Sequence, residues 1–456
     1  MSDQRSTGRR VPDPGIRKLY RLENRWQAWL DVEAALAAAE AELGIIPPEA
    51  ASAIAAAARL EGMDRARIED GFARTSHTIV PLVWELSRIV GEPHGGWVHW
   101  GATTQNIVQT GDLLILRQAH RIFLQLIAAS LEAMAQLAEE GADTPMAART
   151  HGQHAVPTSF GFKVAVWIDE LMRHIERFNQ AEPRVFVAML GGAAGTFASF
   201  GPQGPEVQRR MAARLGMAPM AIPARTLLDH LAEYVCLLGM LGATCGKIGR
   251  EIYTLMKTEF GEVEEPVPPG TVGSSTMPQK RNPQLCQDVI AAAAELRSIV
   301  PFALEAMQTE HEADRTTELM IHDAEERAAI LTGDMLQRLR IIVSGLRTDP
   351  AQMRRNLERG GGLIMAEAVM LKLGALIGRQ HAHDVVYEAA QRAFIEHQSF
   401  ATLLSADQRV AAHLDAPKIE ALLDPAVYTG LSAEIAHSAA KRAREAARQM
   451  ASRLAQ

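Results

Sequence analysis

Residues 107–140 read IVQTGDLLILRQAHRIFLQLIAASLEAMAQLAEE, and this stretch decides the fold class. Ile115, Ala119, Ile122, Leu126, Ala129, Ala133 and Leu137 recur at steps of three and four, the period of a helix that buries one stripe. Gly141, Asp143 and Pro145 end it. The same period predicts helices over about 159–180, before Pro183, and over about 227–257, 283–308 and 321–344. Five long helices joined by loops make a bundle, so the chain is read as all-α.

Outward from this bundle the punctuation changes. Gly91, Pro93, Gly95 and Gly96 set off an alanine-rich helical N-terminal part. Asp349-Pro350 is a helix start, with Asp as N-cap and Pro at the first helical position. It opens a more charged segment of shorter helices, broken at Gly360-Gly361-Gly362 and at Asp424-Pro425. The reading gives three domains: 1–105, N-terminal and helical; 106–345, the central long-helix bundle; and 346–456, a small helical C-terminal domain.

Composition narrows the function classes. Of 456 residues, 47% are hydrophobic but only 5% aromatic, which favours close-packed helices. A net charge of −7 with no basic block argues against nucleic acid as a partner. No run reaches the roughly eighteen uninterrupted apolar residues of a spanning helix, so no membrane is expected. Arg5, Arg9, Arg10, Arg17 and Lys18 are not followed by an apolar stretch, so no secretory signal is read there. Cys236, Cys245 and Cys286 form no paired motif, which speaks against a disulfide framework or thiolate metal site and for a reducing cytoplasm.

Three segments carry candidate chemistry. His99-Trp100-Gly101-Ala102-Thr103-Thr104-Gln105-Asn106 ends where the long helix begins; its hydroxyls and amides either cap that helix or hold a carboxylate against its free N–H groups. Arg149-Thr150-His151-Gly152-Gln153-His154-Ala155-Val156-Pro157-Thr158 reads as a loop with two histidines three apart, structural or functional. Ser274-Ser275-Thr276-Met277-Pro278-Gln279-Lys280-Arg281-Asn282-Pro283, preceded by Pro268, Pro269, Gly270 and Gly273, joins hydroxyls, a cation and an amide in one irregular loop suited to an anion. No His-Glu-x-x-His occurs, and His381-Ala382-His383-Asp384 would point apart on a helix, so no metal is expected. Gly191-Gly192-Ala193-Ala194-Gly195-Thr196 does not fit a dinucleotide fingerprint; it reads as a tight connection whose amides could line an anion pocket.

Together these segments resemble the signature regions of the fumarase/aspartase superfamily. Arg21 to Ala35 and Glu42 to Pro47 look like the N-terminal segment of its adenylosuccinate lyase branch. Gly101 to Gln105, Thr158 to Trp167, Met353 to Leu357 and Gly362 to Ala368 look like its bacterial 3-carboxy-cis,cis-muconate cycloisomerases, the branch judged closest. The resemblance implies a cofactor-free, three-domain helical enzyme, a homotetramer with a twenty-helix core, and sites shared between subunits. It implies proton abstraction next to a carboxylate, then elimination or addition on a small polycarboxylate, with N-substituted aspartate cleavage as the alternative. Ser274 matches the general base, Lys280 and Asn282 the groups that stabilise the doubly charged carboxylate, and His151 the acid for the leaving group. Thr103, Thr104, Gln105, Asn106, Thr150, Gln153, Ser275, Met277, His77 and Arg315 match substrate-binding positions. A non-catalytic protein of the same fold is the remaining alternative, and the intact Ser274, His151, Lys280 and Asn282 speak against it.

The chain departs from the family pattern where Asn106 replaces the usual Asp and Gln279 the branch's frequent His, each removing an ionisable group. Thr75-Ser76-His77-Thr78 stands where adenylosuccinate lyases carry Arg-His-Asp. Their phosphate-binding segment has no full counterpart in His311 to Glu318, so purine-nucleotide binding is not expected.

Overall fold

The structure is a computed structural model and describes residue 5 and residues 7–455. Seven helices among them are 21 residues or longer: α1 (Leu22–Glu42), α2 (Thr104–Glu140), α3 (Phe160–Val185), α4 (Asp229–Leu255), α5 (Gln284–Glu305), α6 (Arg315–Gly345) and α7 (Ser432–Ala455). The class is all-α, relieved only by three two-stranded sheets among the described residues. Helix α2 is the hub: α1, α3, α6 and α7 pack on it, while α5 lies against α4 and α6.

The buried stripe of α2 is broader than the sequence suggests and rotated from it. Leu116, Ala119, Phe123, Ile127, Leu131, Met134 and Ala138 are fully enclosed, whereas Ala129 is exposed and Ile122 and Ala133 lie half-buried. A helix flanked by four others buries more than one face, so a single three-and-four count picks only part of its core.

Helix α3 runs past its expected end, and Pro183 lies inside it. Pro183 forfeits one backbone bond in the last turn. That turn is held from outside, where Arg453 of α7 binds the side chains of Asn179 and Glu182. Helix α7 itself is long where short helices were expected. Its small residues Ala436, Ala440, Ala443 and Ala447 line one face and let it lie close on α2 and α3.

Between α6 and α7, Asp349 caps the helix Pro350–Glu358 as read, accepting from the Gln352 amide at 2.8 Å. Val369, Leu373, Val385, Phe400, Leu404 and Ile419 then form a core of their own. Among the described residues, helices α2 and α4 are each long and apolar enough to cross a membrane by length and composition, and half or more of each one's most apolar stretch is buried within the chain.

Candidate functional site

The N-terminus of α2 is built by its amides. Asn106 is 0% and Gln105 3% exposed, so both stand behind the half-buried Thr103 and Thr104. Asn106 Oδ1 accepts from the Thr103 amide at 3.1 Å and the Gly192 amide at 3.2 Å, pinning the glycine-rich turn to the helix start. A Cβ on Gly191 would fall 2.6 Å from Gly195 Cα and 2.7 Å from the Pro223 carbonyl, so this turn tolerates no side chain there. Gln105 grips Arg225 twice: its Nε2 donates to the Arg225 carbonyl at 2.8 Å and its Oε1 accepts from Arg225 Nε at 2.8 Å. Arg225 continues to Glu318 at 3.4 Å, Glu318 accepts from Arg315 at 3.2 Å, and Arg315 donates to Thr78 Oγ1 at 3.2 Å. This chain of bonds brings Thr103, Thr104, Arg315 and the His77–Thr78 corner to one rim. His77 Nδ1 faces the Ile79 and Val80 amides at 3.4 and 3.3 Å, capping the next helix.

Behind this rim His99 meets the buried Glu33 at 2.6 Å. Burial pulls the His99 pKa down, but the Glu33 charge and hydrogen bond together outweigh it and leave the value raised.

The segment around His151 is a β-hairpin, not a loop. Strand β1 (Pro145–Thr150) pairs antiparallel with β2 (Gln153–Ser159), Thr150 opposite Gln153. His151 and Gly152 sit at φ 53° and 77°, the two left-handed residues of a tight hairpin turn, and the histidine is exposed at its tip. The base is fastened by Arg149, which donates to both oxygens of Glu262 at 3.0 and 2.6 Å and lies 4.8 Å over the Phe260 ring. Glu262 is 0% exposed and also accepts from Asn356 Nδ2 at 2.7 Å. Burial, then the Arg149 charge, lowers the pKa of His154.

The Ser274 loop is fastened three residues further along the same segment. Glu265 accepts from the Leu285 and Cys286 amides at 2.9 Å each, at the start of α5. Glu264 pairs with Arg281 and Arg347. Inside the loop, Asn282 Nδ2 donates to the Gly273 carbonyl at 2.5 Å, and a Cβ on Gly273 would lie 2.0 Å from the Lys280 carbonyl oxygen. Only glycine permits that approach. Ser274 Oγ accepts from the Met277 amide at 3.1 Å and the Thr276 amide at 3.3 Å. Both donors come from the loop's own backbone, two and three residues on, and fix the direction of the Ser274 hydroxyl oxygen. Met277, Gln279, Lys280 and Asn282 line an open cavity of about 750 Å³ together with Tyr253, Met256 and Lys257. Ser275 and Lys280 are exposed.

Among the described residues no hydrogen bond or ion pair joins the α2 rim, the hairpin tip and the serine loop. Among the described residues no group of three His, Cys, Asp or Glu is placed to hold a metal ion. Sequence reasoning missed Arg225 and Glu262, which lie outside the quoted segments, and gave no role to Asn356, which lies inside the 353–357 stretch. The His151-Gly152 pair was the available hairpin signal.

Comparison with known proteins adds the following. Residues 8–297 match the family model described as Lyase, and residues 362–439 match that described as adenylosuccinate lyase C-terminus. The chain is 39% identical to an N-acetyl-S-(2-succino)cysteine lyase of Dickeya dadantii, over 93% of each chain. It is 40% identical to one of Enterococcus italicus, over 92% of each. A solved 3-carboxy-cis,cis-muconate lactonizing enzyme from Pseudomonas putida superposes with a TM-score of 0.87 at 34% identity, covering 97% of this chain and 98% of that one.

Proposed function

The chain belongs to the fumarase/aspartase superfamily of lyases, and from that premise we propose that it eliminates a thiol from a small thioether of succinate and releases fumarate. Ser274, as alkoxide, takes a proton from the succinate carbon next to the distal carboxylate. The electron pair spreads into that carboxylate, which Lys280 and Asn282 hold. The pair then returns to form the carbon–carbon double bond as the neighbouring carbon–sulfur bond breaks. His151 protonates the departing sulfur. Thr103 and Thr104 with Arg315 hold the other carboxylate, and Asn106 and Gln105 position that rim from behind.

The observation that carries this reading is the pair of amides that fix the direction of Ser274 Oγ. The two relatives named for a succino-thioether support sulfur as the leaving atom. A thiolate, with a thiol pKa of about 8.5, also leaves with less assistance than an amine. A homotetramer whose sites draw on several subunits, as the family resemblance implies, is part of this reading, and that the three groups share no direct bond within one chain is compatible with it. Three free cysteines fit a reducing cytoplasm.

A second reading, lactone-forming cycloisomerisation of a carboxymuconate, is supported by the likeness to the Pseudomonas putida enzyme and uses the same base and anion site. Purified protein incubated with S-(2-succino)cysteine, its N-acetyl form, adenylosuccinate and 3-carboxymuconate, followed by NMR, separates the cases. Fumarate should appear from the thioethers. Turnover of carboxymuconate with inert thioethers would install the second reading, and efficient adenylosuccinate cleavage would refute both.

A further inference from the structure

A second cavity, of about 500 Å³, opens between α1 and the helix Pro48–Ala57 on one side and α2 with the Arg214–Leu215 turn on the other. Small side chains make the room: Ala34, Ala35 and Ala38 of α1 face Ala55 and Ala58 across it. Three arginines, Arg59, Arg117 and Arg214, line it with Gln118, against one carboxylate, Asp31.

The charges are unevenly matched. Arg214 pairs with Glu42, which Arg210 shares. Asp31 accepts from Gln27 at 2.8 Å and is pushed up in pKa by burial. Arg117 is half-buried and meets only neutral oxygens, donating to the Gly216 carbonyl at 2.6 Å and the Leu215 carbonyl at 2.8 Å. Burial, then the neighbouring Arg121, depresses its pKa, and no carboxylate offsets either effect. A partly buried guanidinium that faces a cavity with two more arginines, in a chain of net charge −7, calls for an anion from outside the fold.

We propose that this cavity binds a compact oxyanion, a carboxylate or phosphate, recognised by Arg117 and Arg59 with Gln118 as a neutral donor. The site is separate from the elimination chemistry. Arg117 lies thirteen residues along α2 from Thr104, or about 20 Å at 1.5 Å per residue. Helix α2 joins the two, because its N-terminus carries the Thr103–Thr104 rim.

Calorimetric titration of the whole protein carrying Ser274→Ala, with inorganic phosphate and separately with fumarate, tests the site and its source of anion. Saturable binding of one or both is expected, weakened at least about tenfold by Arg59→Glu and by Arg117→Gln. Phosphate alone, fumarate alone or both equally would identify the oxyanion that the cavity takes. Arg59 is exposed, so Arg59→Glu keeps the test valid if Arg117→Gln disturbs the carbonyl contacts. No binding up to tens of millimolar, or binding that Arg59→Glu leaves unchanged, would overturn the proposal. Neither result depends on which bond the enzyme cleaves.

Discussion

Replacing Glu262 by Gln should both destabilise the protein and slow it, for one reason. The carboxylate is fully buried and receives two N–H groups from Arg149 and one from Asn356, so three donors converge on it. Gln offers one acceptor oxygen and turns an NH2 group toward those donors. Arg149, 14% exposed and already with an unpartnered Nε, then keeps its charge without a counterion. Breaking a buried pair from one side costs about 3–5 kcal/mol. Unfolding entropy near 2.1 cal/mol/K per residue comes to roughly 1 kcal/mol/K for this length, so Tm should fall by about 3–5 °C.

Arg149 is also the foot of the hairpin that presents His151, and a displacement of about 1 Å at a catalytic group costs on the order of a hundredfold. kcat should therefore drop about 10- to 100-fold while the serine loop, held by Glu264 and Glu265, is undisturbed. Differential scanning calorimetry and steady-state kinetics measure the two effects. Glu262→Leu combined with Arg149→Met, which removes both charges, should recover most of the melting loss but not the rate. A Glu262→Gln protein that melts within about 1 °C of wild type, or a double variant no more stable than the single one, would refute the reasoning.

Ser274→Ala should lower kcat by about 10²- to 10⁴-fold with KM within about tenfold, and Ser275→Ala should do less; steady-state kinetics read this directly. Gly273→Ala, whose Cβ would sit 2.0 Å from the Lys280 oxygen, should abolish turnover while the circular dichroism spectrum stays native. Burial, with the Glu33 charge adding, pushes Glu40 from 4.5 to about 9, so across that window the folded chain keeps a proton that the unfolded chain releases, and stability falls as pH rises. Glu40→Gln should thus raise Tm at pH 8 and leave it nearly unchanged at pH 4, which thermal melts at the two pH values would establish. His151→Asn and Ser274→Ala proteins, each nearly inactive, should recover about a quarter of wild-type activity when refolded together if each site takes its histidine and serine from different chains; no recovery in confirmed mixed oligomers would place both in one subunit.

Helix class and the three chemical segments were legible because each rests on local rules: a three-and-four apolar step in α2, Asp349 before Pro350, and glycines and prolines around Ser274. The hairpin was less so. Pro145, Ala147 and Ala148 in β1 and Ala155 and Pro157 in β2 give little strand signal, and the pairing is secured by Glu262, more than a hundred residues away in sequence. The true core face of α2 was hidden for a similar reason, because which faces are covered depends on four helices that arrive from distant parts of the chain.

The same distinction organises the candidate site. Each group of chemistry-bearing residues lies at or near the surface and is fixed by an acidic side chain set deeper. Glu262 holds the hairpin of His151, Glu265 the α5 end of the serine loop, and Glu318 the Arg225 and Arg315 pair beside Thr103. Exposed groups can reach a substrate, or a neighbouring subunit, only if something prevents them from moving. In water a charge-assisted bond would contribute little of that restraint; at low local dielectric it contributes much more. Glu264 and Glu265 fall two and three residues after Glu262, so a single short stretch of chain carries the anchors of both the hairpin and the serine loop. A change at Glu262 would shift His151 and one at Glu264 or Glu265 the Ser274 loop, whereas a change at Glu318 would move only the α2 rim. Catalysis by residues from separate chains would then depend on this segment for alignment as much as on the motifs themselves.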